Sequence, residues 1–528
     1  MKPRRRELLS ALAALPFVGG CRWPRRASEN AQGSAPPEGL SPILTPRPGR
    51  KAEGAPAWVV DTHAHFFNAS DVPVEGFLAG PVAHSRSGVS RTLIRALAPL
   101  AGRIASLAPT ADEEIKELVG MARNHAVMGL PPEASETVLH QRRAEFLKRQ
   151  SAFFFEVVRG TEFETIYNDA APASFTQGGV DGNLGPDTMA MVFQATETGG
   201  LVEPMSDGAA QGGGAYREGV VGFVGYMLSY RWMNLLAYQQ SFTTGDQAFG
   251  VDRVFASLVD FDYWLAPAAL SSQESQIALH QLLSVLSNGY MRPLVAYNPW
   301  SAVLDPKRVR LRVADAIERR GFVGIKIYPP NGFRPLVNPD VHPMRPGIPS
   351  GAALERELTA MWNIAQRLDV PVMAHGASTM GLDDLHDEYA SPQGWTQALM
   401  KLDSPRVNIG HFGGDDLEGW SAGFAALMEA GAGKNLYGDT GYWENLRCGK
   451  LESCIARDQL KRIFETHAVL NARLMYGSDW HMLSQERAWA RYPSEILRAT
   501  RDFINPESLF GGNAIGCFGK AAQPPPVS

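Results

Sequence analysis

The chain has 528 residues and a mass of 57.5 kDa, so it is too long for one small domain and forms either one large elaborated domain or two domains. Hydrophobic residues make up 45% and charged residues 20% of the chain, which is ordinary for a folded soluble protein. A net charge of -5 over this length gives no electrostatic case for nucleic-acid binding, and four cysteines are too few for a disulfide scaffold.

The first 21 residues contain the three parts of a secretory signal, namely a basic start, an apolar run over 10–18 and small residues before Cys21. The apolar run is too short to span a bilayer. Residues 5–9 resemble a twin-arginine signal, and residues 18–21 resemble a bacterial lipobox. We therefore expect an exported protein, lipid-anchored through Cys21 on the periplasmic side of a bacterial membrane. The outer membrane is favoured because Arg22 follows the cysteine, and an ordinary cleaved signal is the alternative.

Residues 22–56 contain repeated Pro, Gly, Ser and Ala and few large apolar side chains. Such a segment buries too little surface to order itself, so we predict a flexible tether. The first strand is predicted at residues 58–60, where it leads directly into residues 61–65, which read Asp-Thr-His-Ala-His. We expect one barrel over residues 57–520, followed by a tail over 521–528.

A long insertion, residues 67–250, separates the first predicted strand from the second. Leucines and isoleucines at spacings of three and four predict helices over 90–160. Residues 176–214 are rich in glycine and predict a loop or lid. Residues 219–236 are strongly apolar, and we interpret them as a buried helix on the barrel rather than a membrane span.

Strands alternate with helices through the rest of the chain, which is typical of a parallel sheet. Helical patterns are clearest over 306–320, 352–368 and 417–430. Eight strands in all predict an α/β fold of the (β/α)8 TIM-barrel type, with a large and mainly helical insertion after the first strand. An open doubly wound sheet is the alternative, but no Gly-rich phosphate turn follows the first strand. The seven later strands are predicted at residues 253–259, 292–297, 322–328, 370–375, 406–411, 434–438 and 473–476.

Metal-ligating side chains stand at the ends of several predicted strands. His63 and His65 are two residues apart on a strand, so they project to the same face, and imidazole suits Zn, Fe, Ni or Mn. His375, His411 and Asp479 end or follow three later strands. The carboxyl ends of barrel strands are where this fold places its chemistry, so these residues predict a metal site there.

Along the chain, the order His-x-His, Lys, His, His, Asp resembles the pattern of the amidohydrolase superfamily. The residues around these positions resemble its amidohydrolase-2 branch. The resemblance covers about residues 57–66 and 250–520 and leaves the long insertion unexplained. It rests on the stretches 60–65, 321–329, 373–375, 410–411, 476–479 and 511–514.

The resemblance implies a role for each of these side chains. Asp479 would carry the proton from water to the leaving group, and His411 would polarise or position the substrate carbonyl. In two-metal relatives a carboxylated lysine bridges the ions, so Lys326 and His411 are the candidates for second-metal ligands. We favour one divalent ion, Zn before Mn or Fe; Lys326 in an ordinary ion pair is the alternative. The implied ligands of that ion are His63, His65, His375 and Asp479.

The resulting hypothesis is a metal-dependent hydrolase that uses activated water on a C–N or C–O bond of a small molecule, such as an amide, lactone or ester. The first alternative is a metal-dependent decarboxylase or hydratase of an aromatic or unsaturated acid, which Arg334 gripping a carboxylate would favour. The second is a non-catalytic lipoprotein that binds a metal or a partner. Cys448 and Cys454 are close enough in sequence to form a disulfide in an oxidising compartment. The sequence gives no basis for a substrate or an oligomeric state.

Overall fold

A computed structural model describes the barrel and much of the insertion. The expected signal with Cys21 and the Gly-rich segment 176–214 lie outside the described residues. Within the described part of the chain, no helix has the length and apolar character needed to cross a membrane. The described residues are 39–46, 51, 54–84, 88–128, 132–169, 222–243, 249–341, 351–486 and 488–525.

Eight parallel strands form a barrel in the order β1 to β8, and each strand pairs with the next along the chain. The first and last strands meet through hydrogen bonds from Thr62 N to Tyr476 O at 3.0 Å and from Asp479 N to His63 O at 2.7 Å. The predicted (β/α)8 barrel is confirmed. The strands are β1 Val60–Ala64, β2 Arg253–Ser257, β3 Met291–Ala296, β4 Ile325–Ile327, β5 Val372–Ala377, β6 Val407–Gly413, β7 Leu436–Asp439 and β8 Leu474–Met475.

Several helices outside the barrel begin at a residue whose side chain caps them. Helix Pro306–Arg320 has the same bounds as predicted. Its start is fixed by the Asp305 side chain, which accepts from Arg308 N, and its end by Gly321 at φ 76°. The other α-helices that follow β2 are Gln273–Leu286, Pro299–Leu304, Ala352–Arg367, Asp384–Glu388, Pro392–Leu399, Ala422–Glu429, Ile455–Thr466, Tyr492–Thr500 and Asn513–Phe518.

Apolar side chains close the amino-terminal end of the barrel. Val60, Leu294 and Met373 belong to a buried cluster that also contains Phe518, from the last helix of the chain. The Phe255 and Phe518 rings are 4.3 Å apart. Apolar side chains fill this end of the barrel. We therefore look for polar functional residues at the opposite end, where the strands finish.

The insertion between β1 and β2 is helical, as predicted. The prediction of a single helix over 219–236 is wrong in one respect, because the structure has a helix over 222–228 and a second helix that begins at Arg231. The Glu114 carboxylate explains the break: it accepts from Arg231 N at 2.9 Å and Trp232 N at 2.7 Å, as a helix cap does. The other described α-helices of the insertion are Val74–Phe77, Gly88–Leu97, Ala101–Ala105, Ala111–Met128, Pro132–Val158 and Glu162–Asp169, and the second helix is Arg231–Thr243.

A buried charge network joins distant parts of the insertion to one another. The Arg231 guanidinium is fully buried and donates to both oxygens of Asp71, at 2.5 and 2.9 Å. It also donates to Glu114 at 3.1 Å and to Ser70 Oγ at 2.7 Å. Asp71 lies six residues beyond His65, so this network holds the chain that leaves the first strand.

The predicted tether and the predicted tail both contain residues that contact the barrel. Leu44 lies within the predicted tether, yet it is buried and donates its N–H to Leu286 O at 2.8 Å. Because Leu44 packs in this way, residues 39–46 do not belong to a flexible tether. The average composition of 22–56 does not reveal a single buried apolar residue. In the predicted tail, Ala521 O and Gln523 O accept from Arg253, at 2.7 and 2.6 Å.

Candidate metal centre

The carboxyl ends of five strands bring all six predicted site residues to one mouth of the barrel. His63 lies on β1, Lys326 on β4, His375 on β5 and His411 on β6. His65 follows β1 by one residue, and Asp479 follows β8 by four. All six side chains are buried, with 8% exposure or less. The arrangement arises because parallel strands of a barrel all end at the same rim.

Asp439, at the end of β7, was not among the predicted site residues. Its Oδ1 lies 3.0 Å from His63 Nδ1 and accepts from the backbone N–H of His411 at 3.0 Å and of Gly441 at 2.9 Å. Its Oδ2 accepts from Asn408 Nδ2 at 2.8 Å. A carboxylate held by three other donors keeps the His63 proton on Nδ1 and leaves Nε2 as the ligating atom.

Two further histidines have the same orientation through backbone carbonyls. His65 Nδ1 lies 2.8 Å from Ser257 O, and His411 Nδ1 lies 2.9 Å from Gly441 O. A carbonyl oxygen only accepts, so each Nδ1 carries the proton and each Nε2 has a free lone pair. Three imidazoles therefore offer Nε2 in the form that a divalent metal binds.

The Asp479 carboxylate meets these imidazoles. Its Oδ1 lies 3.4 Å from Nε2 of both His63 and His65. Ligand atoms of His63, His411 and Asp479 all lie within 4.8 Å of one another, and the His375 ring centroid is 4.5 Å from that of His411. His411 and Asp479 adopt left-handed backbone conformations, with φ of 65° and 55°. Such conformations are costly for non-glycine residues and are concentrated at functional sites.

Burial sets the charge of the site. It lowers the pKa of His63, His65 and His375 well below the ordinary histidine value, and that of His411 to about 4. These rings are therefore neutral near pH 7, which is the ligating form. Burial also raises the pKa of Asp479 well above the ordinary aspartate value. A bound cation would offset that desolvation.

Two buried nitrogens in the mouth lack hydrogen-bond partners among the described residues, His63 Nε2 and Lys326 Nζ. Burial lowers the pKa of Lys326 to about 8. No described carboxylate forms an ion pair with Lys326, so the expectation of an ordinary ion pair is not met. A lone pair on His63 Nε2 facing other Nε2 atoms and a carboxylate fits a divalent metal. Which residues ligate it stays a prediction.

Asp61 connects β1 to the segment that carries Asp479. Its Oδ1 accepts from Ser478 N at 3.0 Å, and its Oδ2 accepts from Ser478 Oγ at 2.5 Å. Tyr238, from the insertion, donates to the same Oδ2 at 2.7 Å. The insertion therefore contacts a carboxylate that helps to position Asp479.

Arg334 does not line the cavity that contains the site. Its guanidinium donates to both oxygens of Asp340, at 2.8 and 3.2 Å, and stacks 5.0 Å from the Tyr389 ring. The observation that would have favoured a decarboxylase is therefore missing. A separate group of possible ligands, His84 with Asp384 and Asp387, lies in more exposed surroundings.

A cavity of about 250 Å³ opens above these residues. Five of the six predicted site residues line it, and His63 lies below them against Asp479. A cavity of this size accommodates a small molecule next to the metal ligands. The five that line it are His65, Lys326, His375, His411 and Asp479.

Residues 286–519 match the model of the Amidohydro_2 family, described as amidohydrolase. The match supports membership of that family. It contains Lys326, His375, His411 and Asp479, and it does not reach the histidine pair on β1. No curated protein sequence matches the chain significantly.

Several solved structures resemble the chain over part of its length. One is a probable 2-pyrone-4,6-dicarboxylic acid hydrolase from Acinetobacter baumannii, at 13% identity, 51% of this chain, 84% of that chain and a TM-score of 0.32. Another is an amidohydrolase from Burkholderia multivorans, at 13% identity, 51% and 83% coverage and a TM-score of 0.34. The third is 4-oxalomesaconate hydratase from Rhodopseudomonas palustris, at 16% identity, 51% and 77% coverage and a TM-score of 0.32. All three TM-scores are low.

Proposed function

We propose that this protein is a metal-dependent hydrolase of the amidohydrolase type, which activates water to break a C–N or C–O bond of a small molecule. The observation that carries the proposal is the convergence of oriented histidines on the Asp479 carboxylate. His63, His65 and His411 each engage Nδ1 with a protein oxygen, which leaves Nε2 for a ligand. The family match over residues 286–519 supports the same conclusion.

The proposed reaction uses the chain's residues in distinct ways. A divalent ion held by these residues would supply a Lewis acid that makes water a nucleophile near neutral pH. Asp479 is suited to take a proton from water and give it to the leaving nitrogen or oxygen, because its carboxylate lines the cavity and lies beside Nε2 of His63 and His65.

The expected role of His411 needs adjustment. To polarise a carbonyl oxygen, His411 would have to donate a proton from Nε2. Its only proton is on Nδ1, toward Gly441 O, and burial lowers the pKa of the ring to about 4. His411 is therefore not oriented to polarise a carbonyl, and we keep it only as a candidate ligand of a second ion. Lys326 is a better donor for a substrate carbonyl, because it lines the cavity and no described residue accepts from Nζ.

We propose one resident divalent ion, Zn before Mn or Fe. The proposed ligands are His63, His65, His375 and Asp479, with His411 adjacent. Lys326 and His411 remain the candidates for a second ion. A test of stoichiometry is elemental analysis of the protein after dialysis against each metal: one equivalent supports this proposal, and two equivalents would favour the two-metal version.

The hydrolase proposal is tested with chelation and with Asp479→Asn. Chelator treatment should abolish turnover of amide, ester and lactone probes, and added metal should restore it. The asparagine variant should retain most of the metal, because three imidazoles remain, but lose turnover because an amide cannot carry the proton. The proposal would be refuted if the metal-free protein or the Asp479→Asn variant turned over the probes at the rate of the metal-loaded wild type.

We also propose that the protein works outside the cytoplasm, lipid-anchored through Cys21 on the periplasmic side of a bacterial membrane. The signal-like residues 1–21 motivate this proposal. The disulfide between Cys448 and Cys454 is consistent with it, because structural disulfides persist mainly in oxidising compartments.

A further inference from the structure

The cavity above the site has two chemically different sides. One side carries the predicted site residues together with Ser378, Thr379 and Asp415. The other side is apolar and consists of residues that belong to or pack against one buried apolar cluster, namely Phe67, Phe77, Val82, Val259, Phe261 and Met482. We call these six residues the apolar lobe. A pocket divided in this way orients a ligand that has one polar and one apolar end.

Aromatic rings connect the site to the apolar lobe without interruption. The His375 ring centroid lies 4.8 Å from that of Tyr328, which lies 5.3 Å from that of Phe261. Phe261 in turn stacks on Phe77, with centroids 5.4 Å apart and planes inclined by 17°. A flat apolar group next to this wall would gain aromatic contacts as well as burial.

The insertion supplies the outer wall of the lobe. Phe77 and Val82 lie in it, and both also line a second, smaller cavity of about 40 Å³ behind the wall. That second cavity is lined almost entirely by apolar side chains, among them Ile94, Leu97 and Met227. Phe77 is therefore a partition between the two cavities, and its size limits what fits in the lobe.

We propose that the substrate carries an apolar, ring-sized group that binds in the apolar lobe, and that Phe77 determines which groups fit. The inference rests on the proposed metal site, since the reacting bond must lie at that site while the apolar group lies in the lobe. The substrate class is thus an ester, amide or lactone with an aryl or similarly sized apolar substituent. The insertion after the first strand sets this preference.

The test compares two small metal-binding probes on the full-length, metal-loaded protein. Benzohydroxamate and acetohydroxamate share the chelating group and differ in a phenyl ring. Calorimetry should give about 10- to 100-fold tighter binding of benzohydroxamate, as expected for burial of a ring of this size. Equal affinities would overturn the lobe proposal alone. Failure of both probes to bind would overturn the metal site and this inference with it.

Variants test whether Phe77 determines the preference for benzohydroxamate over acetohydroxamate. Phe77→Ala should reduce the benzohydroxamate-to-acetohydroxamate preference by about fivefold, because the ring loses its packing partner. Phe163→Ala is the matched control, since Phe163 is buried in the same apolar cluster but does not line the cavity. Phe77→Leu keeps a bulky apolar side chain, so it tests the wall even if the alanine variant does not fold. An unchanged preference in Phe77→Ala or Phe77→Leu, or an equal loss in Phe163→Ala, would contradict the assignment.

Discussion

Replacing Asp439 with asparagine tests how the site orients its ligands. The carboxylate accepts four hydrogen bonds, including 3.0 Å contacts from His63 Nδ1 and His411 N. An asparagine is uncharged and has one accepting oxygen, so even with that oxygen toward His63 it no longer offers the charge-assisted hydrogen bond of a carboxylate. Loss of an outer partner of a metal-bound histidine typically weakens metal binding about 10- to 100-fold. We therefore expect Asp439→Asn to lose about 1.4–2.7 kcal/mol of metal-binding free energy.

The assay is a competition titration against a chelator of known affinity, on wild type and variant. Asp387→Asn is the control, because Asp387 also contacts a histidine, with His84 Nε2 at 3.2 Å from Oδ2, but lies away from the barrel mouth. Metal affinity should fall in Asp439→Asn and stay at the wild-type value in Asp387→Asn. An unchanged affinity in Asp439→Asn would refute the argument that this carboxylate fixes the His63 tautomer.

Three further predictions concern the rest of the molecule. Arg231→Met leaves two buried carboxylates without their cationic partner and should lower the free energy of unfolding by about 3–5 kcal/mol, measured in urea; Arg159→Met, at an exposed ion pair, should change it little. Tyr238→Phe removes the hydrogen bond to Asp61 and should cost about 1.5–3 kcal/mol, and a variant as stable as wild type would count against that contact. Cys21→Ser should release the protein from membranes on fractionation, and continued membrane association would argue against the lipid anchor.

The fold could be predicted from the sequence because its signals are local. A helix that starts at Asp305 and ends at Gly321 is specified by the cap residues themselves. The strands before His375 and His411 are short apolar runs that end in polar residues, and the shared rim of a parallel barrel brings such ends together. Spacing alone was therefore enough to place the histidines at one mouth.

Features that depend on distant contacts could not be predicted in the same way. The strand prediction at 434–438 stops one residue before Asp439, whose partner His63 is 376 residues away in the chain. The helix that starts at Arg231 is set by Glu114, 117 residues earlier. Nothing in the local sequence marks Glu114. Asp439 carries one local signal, because it is an acidic residue directly after a predicted strand.

The metal site itself is tested most directly by crystallography with anomalous scattering at the absorption edge of the bound metal. We expect one strong peak at the barrel mouth, about 2.0–2.1 Å from His63 Nε2 and in contact with the Asp479 carboxylate. A metal-loaded crystal with no peak there, or with its peak at His84, Asp384 and Asp387 instead, would contradict it.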